Sequence, residues 1–143
     1  MTVALILAGK SPDVITIQPH NTLHEASALL ADKGIGAAIV IDGAGHVVGI
    51  VSERDIVRAI ARSGCDALKD PVSTHMTSEV ETTEPVEVVD KVMEMMTRGR
   101  FRHLPVIDNH RLVGVVSIGD IVKYRLESMQ SEYNAMRDYI TTA

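Results

Sequence analysis

The chain of 143 residues is 45% hydrophobic and 23% charged, a composition that excludes an intrinsically disordered protein. Its net charge of −5 excludes a protein whose whole surface follows nucleic-acid phosphates, although it is compatible with a local anion site. Only four residues are aromatic, Phe101, Tyr124, Tyr133 and Tyr139, so the core must be aliphatic. The single Cys65 excludes an internal disulfide and a cysteine zinc cluster, which favours a reducing cytoplasm.

The chain opens with a short apolar run, residues 3–8. This run is far shorter than the ~18 residues of a membrane span, and no basic segment precedes it. We therefore expect a short packed helix at this end and no membrane partner.

The first half of the chain predicts the order strand, helix, strand, strand, helix. Residues 14–17 are typical of a short strand, and apolar residues at three- and four-residue spacing then predict a helix that ends near Gly34. Two β-branched runs, residues 37–41 and 47–51, flank a turn rich in glycine. A second helix follows Ser52, and an irregular connection leads to about residue 78.

The second half repeats the first. Residues recur after 66 positions up to the hairpin turn and after 65 positions beyond it. The first set pairs Val14, Thr16, Pro19, Val40, Ile41 and Asp42 with Val80, Thr82, Pro85, Val106, Ile107 and Asp108; the second pairs Gly49, Val51, Ser52, Asp55, Ile56 and Val57 with Gly114, Val116, Ser117, Asp120, Ile121 and Val122. A one-residue difference is tolerated best in a hairpin loop.

Neither copy could bury its sheet alone. We therefore expect an α/β (α+β) fold in which two β-α-β-β-α repeats pack through their sheets with pseudo-twofold symmetry. The boundaries that we assign are residues 1–62 for the first repeat with its N-terminal helix, 63–78 for a linker, 79–126 for the second repeat and 127–143 for a C-terminal helical extension.

The C-terminal segment is predicted to be helical from Asp120 to about Ile140. Apolar residues alternate at spacings of four and three, as in the seam of a helix pair: Val122, Leu126, Met129, Tyr133, Met136 and Ile140. The stripe could pack on the N-terminal helix of the same chain. Because it extends well beyond the repeat, we expect part of it to face another subunit in a homodimer.

Three motifs carry a family resemblance. They are Gly49-Ile50-Val51-Ser52-Glu53-Arg54-Asp55, Gly114-Val115-Val116-Ser117-Ile118-Gly119-Asp120 and Arg102-His103-Leu104-Pro105-Val106-Ile107-Asp108. Duplicated at matching offsets over almost the whole chain, they resemble a tandem pair of cystathionine β-synthase (CBS) domains, or Bateman module, of the stand-alone bacterial type. The resemblance implies clefts between the copies that bind AMP, ADP, ATP, NAD(H) or S-adenosylmethionine, and regulation in place of catalysis.

Each copy contains a Ser-x-x-Asp sequence where a strand meets a helix. By spacing alone, Ser52 and Ser117 are helix N-caps, and Asp55 and Asp120 complete capping boxes. A carboxylate can also accept hydrogen bonds from both hydroxyls of a ribose. The resemblance favours ribose contact for the two aspartates, and the serines can serve both purposes.

The densest cationic cluster precedes the second hairpin and contains Arg98, Arg100, Arg102 and His103. Such a cluster is either a charged strand edge or a set of phosphate contacts. The resemblance implies that Arg102 and His103 contact phosphate and that the other two lie on the surface. The corresponding residues 34–38 carry no charge, so we expect the Asp120 cleft to bind phosphate better, while the Asp55 cleft relies on Arg54 or holds a bulkier ligand.

The resemblance also implies that each cleft includes the first strand of the other copy, with adenine between aliphatic side chains. The Asp120 cleft then includes Lys10, Ile15, Thr16 and Val115, and the Asp55 cleft includes Ala37, Ile50, Thr77, Glu81 and Thr82.

Other chemistry finds little support. His20 and His24 have a metal-binding spacing, but no third ligand follows them and we expect no metal. We find no nucleophile elbow or Ser-His-Asp order and expect no enzyme. The sequence thus predicts a cytoplasmic sensor of cellular energy state that binds adenine nucleotide, AMP first, contacts no nucleic acid and passes a conformational change to an unidentified partner. An NAD(H) sensor and a structural dimerisation module with vestigial sites are the alternatives, and the retained Ser and Asp pairs argue against the second.

Overall fold

The computed structural model describes residues 1–10 and 13–142. The elements are α1 Val3–Ala8, β1 Thr16–Ile17, α2 Leu23–Lys33, β2 Ala37–Ile41, β3 Val47–Ser52, α3 Glu53–Ser63, a 3-10 helix Gly64–Lys69, α4 Val72–His75, α5 Val89–Gly99, β4 His103–Asp108, β5 Arg111–Ser117 and α6 Ile118–Thr142. The mixed helix and strand fold predicted from the sequence is confirmed.

The two hairpins repeat each other in detail. Strands β2 and β3 pair antiparallel in the first copy, as β4 and β5 do in the second. The register shifts between Val40 and Ile41 in one hairpin and between Val106 and Ile107 in the other. These positions are 66 residues apart, so the sequence repeat reproduces even the irregularity of the backbone.

The first strands are shorter than the sequence predicts. Strand β1 contains two residues and pairs parallel with β2, while its second-copy counterpart is one parallel bridge between Thr83 and Val106. Just before that bridge, Thr77 pairs with Ile50 of the first copy. Because the chain passes from one sheet to the other between Thr77 and Thr83, a four-residue strand at residues 80–83 does not form.

Each copy has its own aliphatic core, and each core receives a segment from outside the predicted repeat. Ala67 and Val72, from the connection, are buried among the side chains of the first copy. Val3 of α1 is buried in the second core, and its N–H donates to Glu87 O at 2.9 Å. The connection, which we expected to be irregular, is therefore folded into a 3-10 helix and α4 that complete the first core.

Two equivalent glycines admit these crossing segments. A Cβ on Gly49 would lie 2.8 Å from Thr77 O and 2.5 Å from Met76 Sδ. A Cβ on Gly114 would lie 2.7 Å from Leu7 Cδ2. Each glycine therefore permits the close approach of the segment that leads to or from the other copy.

The terminal helix α6 is 25 residues long, as the periodicity indicated. Its predicted apolar stripe is exposed, with Leu126 and Tyr133 each 62% exposed, so the stripe does not pack on the protein's own first helix. Tyr124 instead packs against the second core. Within residues 1–10 and 13–142, no helix combines the length and apolarity that crossing a membrane requires.

We predict that Gly49→Ala lowers the free energy of unfolding by about 1–3 kcal/mol, because the added methyl group meets the Thr77 carbonyl. Chemical denaturation measures this change. Gly43→Ala is the matched control, since a Cβ there meets open space. Equal unfolding free energies for the two variants would contradict the close approach.

Candidate functional site

Both Ser-x-x-Asp sequences form helix caps. Ser52 N–H donates to Asp55 Oδ2 at 2.8 Å, and Asp55 N–H donates to Ser52 Oγ at 3.3 Å. The second copy has the same pair of bonds, from Ser117 N–H to Asp120 Oδ2 at 2.8 Å and from Asp120 N–H to Ser117 Oγ at 3.1 Å. Each cap uses Oδ2, and among the described residues no hydrogen bond reaches Oδ1 of either aspartate. Capping therefore leaves each carboxylate one oxygen with which to accept from a ligand.

A cavity of about 510 Å³ lies against the cap of α3. Its lining comes from the first copy (Gly36, Ile50, Ser52, Glu53, Arg54, Asp55, Arg58), from the connection and the stretch after it (Thr77, Glu79, Val80, Glu81) and from the second copy (Gly99, Arg100, Phe101, Arg102, His103). The cavity is thus a cleft between the copies.

Most residues predicted for the Asp55 cleft meet here. Ile50, Ser52, Arg54, Thr77 and Glu81 line the cavity together with Asp55. Thr82 is outside this lining, and Ala37 is opposite Ser52 in the β2–β3 pair. The resemblance had assigned Arg102 and His103 to the other cleft, yet both line this one. The uncharged residues 34–38 therefore do not leave the Asp55 cleft without cations, because the second copy supplies them.

Arg100 is exposed, as expected, and also lines the cavity. It ends α5 in the left-handed conformation, with φ of 56°, and its counterpart 66 residues earlier, Gly34, has φ of 64°. A non-glycine residue in this conformation costs about 1–2 kcal/mol. The repeat alignment contained the signal, since an arginine stands where the first copy has glycine.

Phe101 also lines the cavity. The sequence had suggested that both clefts are walled by aliphatic side chains alone. The Phe101 ring covers Gly99 so closely that a Cβ there would contact its Cε1 atom. One wall of the cleft is therefore aromatic.

At the Asp120 cleft the carboxylate is already paired. Lys10 Nζ donates to Asp120 Oδ2 at 2.8 Å and to Val115 O at 2.7 Å. Burial of Asp120 alone would raise its pKa, but the hydrogen bonds from Lys10 and Ser117 outweigh burial, and the pKa lies below 3.8. Lys10, Val115, Ser117 and Asp120 are thus together, as the resemblance implied.

The first strand contributes less to this cleft than expected. Thr16 lines a separate open cavity of about 420 Å³ beside Gln18, Asn21 and Glu25. Ile15 accepts a backbone hydrogen bond from Ile39 at 3.4 Å within the first copy. Neither residue is joined to Asp120 by a described contact.

His103 lines the Asp55 cleft, and the charges of Lys10 and Asp120 also act on it. Burial lowers its pKa from 6.5, and the positive charges of Lys10 and Arg102 lower it further. The carboxylates of Asp120 and Glu53 act in the opposite direction, one from each cleft. At neutral pH the ring is therefore uncharged and can donate one hydrogen bond.

Metal ligands do not cluster. Over the described ranges 1–10 and 13–142, no group of three or more His, Cys, Asp or Glu side chains is arranged to hold a metal ion.

The duplicated hairpin-and-helix unit is capped by Ser-x-x-Asp in each copy and encloses a cleft between the copies, which defines a two-repeat module. Residues 10–62 and 72–127 match the CBS domain family. The chain belongs to this family and contains a tandem CBS pair.

Three solved structures illustrate the similarity. The CBS-domain-containing protein ATU1752 from Agrobacterium tumefaciens is 44% identical with a TM-score of 0.83, covering 87% of this chain and 92% of that chain. The CBS domain protein PAE2072 from Pyrobaculum aerophilum, complexed with AMP, is 31% identical with a TM-score of 0.76, covering 84% and 89%. The CBS domain pair of protein MJ0100, complexed with methylthioadenosine and S-adenosyl-L-methionine, is 28% identical with a TM-score of 0.80, covering 90% and 98%.

We predict that the Lys10–Asp120 pair stabilises the fold by about 1 kcal/mol or less at neutral pH, since both side chains are partly solvated. Because the folded pKa of Asp120 lies below 3.8, this contribution is present above that pH and is lost as the pH falls through the folded value. The difference in unfolding free energy between wild type and Asp120→Asn should shrink below about pH 4. In a Lys10→Met background the Asp120→Asn difference should depend less on pH; an unchanged dependence would show that Lys10 does not set this pKa.

Proposed function

We propose that this protein is a regulatory module that binds an adenosine ligand, AMP in preference to ADP and ATP, in the Asp55 cleft. The observation that carries the proposal is the cavity between the copies, which combines a capped carboxylate with a group of arginines. The AMP complex of the related Pyrobaculum aerophilum protein supports the same class of ligand.

In this cleft Asp55 is the ribose acceptor. Its Oδ2 stays bonded to Ser52 N–H, so the aspartate is oriented before a ligand arrives. Its Oδ1 then accepts a hydrogen bond from a ribose hydroxyl. Ile50, Val80 and Phe101 form the apolar part of the lining, against which adenine packs.

The phosphate is bound by the second copy. Arg100 and Arg102 present planar donors suited to phosphate oxygens. The uncharged ring of His103 donates one further hydrogen bond beside them. The ligand then contacts both copies, with its phosphate on the second and its ribose on the first. This contact with both copies is the means by which ligand binding is transmitted to a partner.

The charge of the lining favours a monophosphate. Its four arginines, Arg54, Arg58, Arg100 and Arg102, face four acids, Glu53, Asp55, Glu79 and Glu81. The formal sum is zero, so each phosphate beyond the first meets no additional net positive charge. We therefore propose that affinity falls from AMP to ADP to ATP, which makes the module responsive to cellular energy state.

The direct test is a thermal-shift panel of AMP, ADP, ATP, NAD, NADH and S-adenosylmethionine on the full chain. A ligand at 100 times its Kd should add about 2.7 kcal/mol of stability. The largest shift is expected for AMP. A larger shift with NADH would favour the NAD(H) sensor, and no shift with any ligand would reduce the module to a structural role.

We predict that Asp55→Asn and Arg100→Gly each weaken AMP binding roughly tenfold or more, since each removes a charged hydrogen bond. Isothermal titration calorimetry measures the loss. Arg100→Gly also relieves the left-handed backbone at that position, so its stability should stay constant or rise by up to about 1 kcal/mol. Weakened binding by this variant cannot then be attributed to unfolding.

Arg98→Ala is the matched control for Arg100. Arg98 lies two residues earlier, is exposed, pairs with Glu94 and is outside the cavity lining. Its replacement should leave the AMP affinity within experimental error of wild type. Equal losses at Arg98 and Arg100 would indicate a general effect of surface charge and contradict a specific phosphate contact.

We also propose that the chain forms a homodimer through α6. From Met129 to Thr142 every described side chain of this helix is exposed, including the apolar Met129, Tyr133, Met136, Tyr139 and Ile140. A helix segment of this length that packs on nothing is marginal in water. An equivalent stripe on a second copy covers it in an isologous contact.

We predict that truncation after Arg125 converts the dimer to a monomer, because it removes the stripe from Leu126 onward and retains the partly buried Tyr124. Light scattering measures the mass. Tyr133→Glu should have the same effect, whereas Gln130→Glu, at an exposed polar position of α6, should not. An unchanged mass after truncation would place the dimer contact elsewhere.

A further inference from the structure

The two Ser-x-x-Asp caps share a motif but differ in what contacts their aspartates. We infer that Lys10 is an internal occupant of the Asp120 cleft, so that each chain binds one adenosine ligand, at Asp55, while Lys10 stays in place. This inference rests on the proposed function, because it concerns which of the two carboxylates is open to a ribose.

The lysine lies against the carboxylate that a ligand would need. Its ammonium group bonds to Asp120 Oδ2 at 2.8 Å and to Val115 O at 2.7 Å. Asp120 Oδ2 also accepts from Ser117 N–H. Oδ1 accepts no described hydrogen bond, but a ribose that approaches it meets an ammonium group that competes for the same carboxylate.

The first copy has no such occupant among its described residues. Asp55 accepts only from Ser52, through the N–H at 2.8 Å and the hydroxyl at 3.1 Å. The residue 66 positions after Lys10 is Met76, which lies against Gly49 and has no ammonium group. Ile50 O, the counterpart of Val115 O, accepts from the backbone N–H of Thr77 at 2.9 Å. The first copy thus has methionine where the second copy has the lysine that pairs with its aspartate.

The Lys10–Asp120 ion pair is partly buried, so breaking it opposes ligand binding at Asp120. The side chains of Lys10 and Asp120 are 35% and 20% exposed. A partly exposed ion pair is weaker than a buried one. A ligand that breaks the pair still loses its stabilising free energy, which lowers the ligand's affinity. We expect Lys10 to reduce the affinity of the Asp120 cleft by up to about fivefold.

The opposite role for Lys10 is a direct phosphate contact, which would strengthen binding. The two roles give opposite results when the ammonium group is removed. Lys10→Met keeps the length of the side chain and removes its charge. Lys10→Gln is a second variant, whose amide can still donate to Val115 O and so guards against loss of folding, which circular dichroism checks.

Calorimetric titration of the full chain with AMP is the test. Wild type should bind one AMP per chain with the higher affinity, and this binding should be lost in Asp55→Asn. Lys10→Met and Lys10→Gln should reveal a second site, and adding Asp120→Asn to either should remove it. Lys33→Met, at an exposed lysine at the end of α2, should keep the wild-type stoichiometry.

The failures are distinguishable. Two equal sites in wild type, or unchanged stoichiometry in both Lys10 variants, would overturn the inference and leave the Asp55 site standing. Weaker binding in the Lys10 variants would assign Lys10 to phosphate contact and also overturn it. No AMP binding by wild type or any variant would overturn the proposed function and the inference together.

Discussion

The close approach of backbone at Gly49 and Gly114 is the constraint on which the rest of the molecule depends. A side chain at either position would occupy the space of Met76 and Thr77 or of Leu7. The connection between the copies packs against Gly49, and the N-terminal helix α1 packs against Gly114. Each core also gains a buried residue from its segment, Val72 in the first copy and Val3 in the second. Each copy therefore completes its packing with a segment from outside its own repeat.

This exchange also creates the cleft. The stretch that passes from one sheet to the other supplies Glu79 and Glu81 to the cavity wall. The helix cap that orients Asp55 belongs to the first copy, and the proposed phosphate contacts Arg100 and Arg102 belong to the second. The capped Asp55 and residues from the second copy therefore line the same cavity. Arg100 keeps a left-handed backbone conformation there despite its energetic cost.

The sequence predicted the secondary structure and caps within each repeat. It did not predict which residues of one copy face the other copy. The hairpins, the Ser-x-x-Asp caps and the long α6 follow from local pattern, and all are present. The side of the molecule that Arg102 and His103 face depends on the relative position of the copies, which no local spacing encodes. The part that Arg100 takes in the cavity depends on the same packing. The strand at residues 80–83 was overestimated because the chain changes sheets there.

Residues 77–83 connect the two sheets and contribute to the cavity. Thr77 is bonded to the sheet of the first copy and Thr83 to that of the second, while the residues between them form part of the cavity floor. The wall of the cavity and the connection between the two sheets are therefore the same stretch of chain, so a residue replaced there alters both at once.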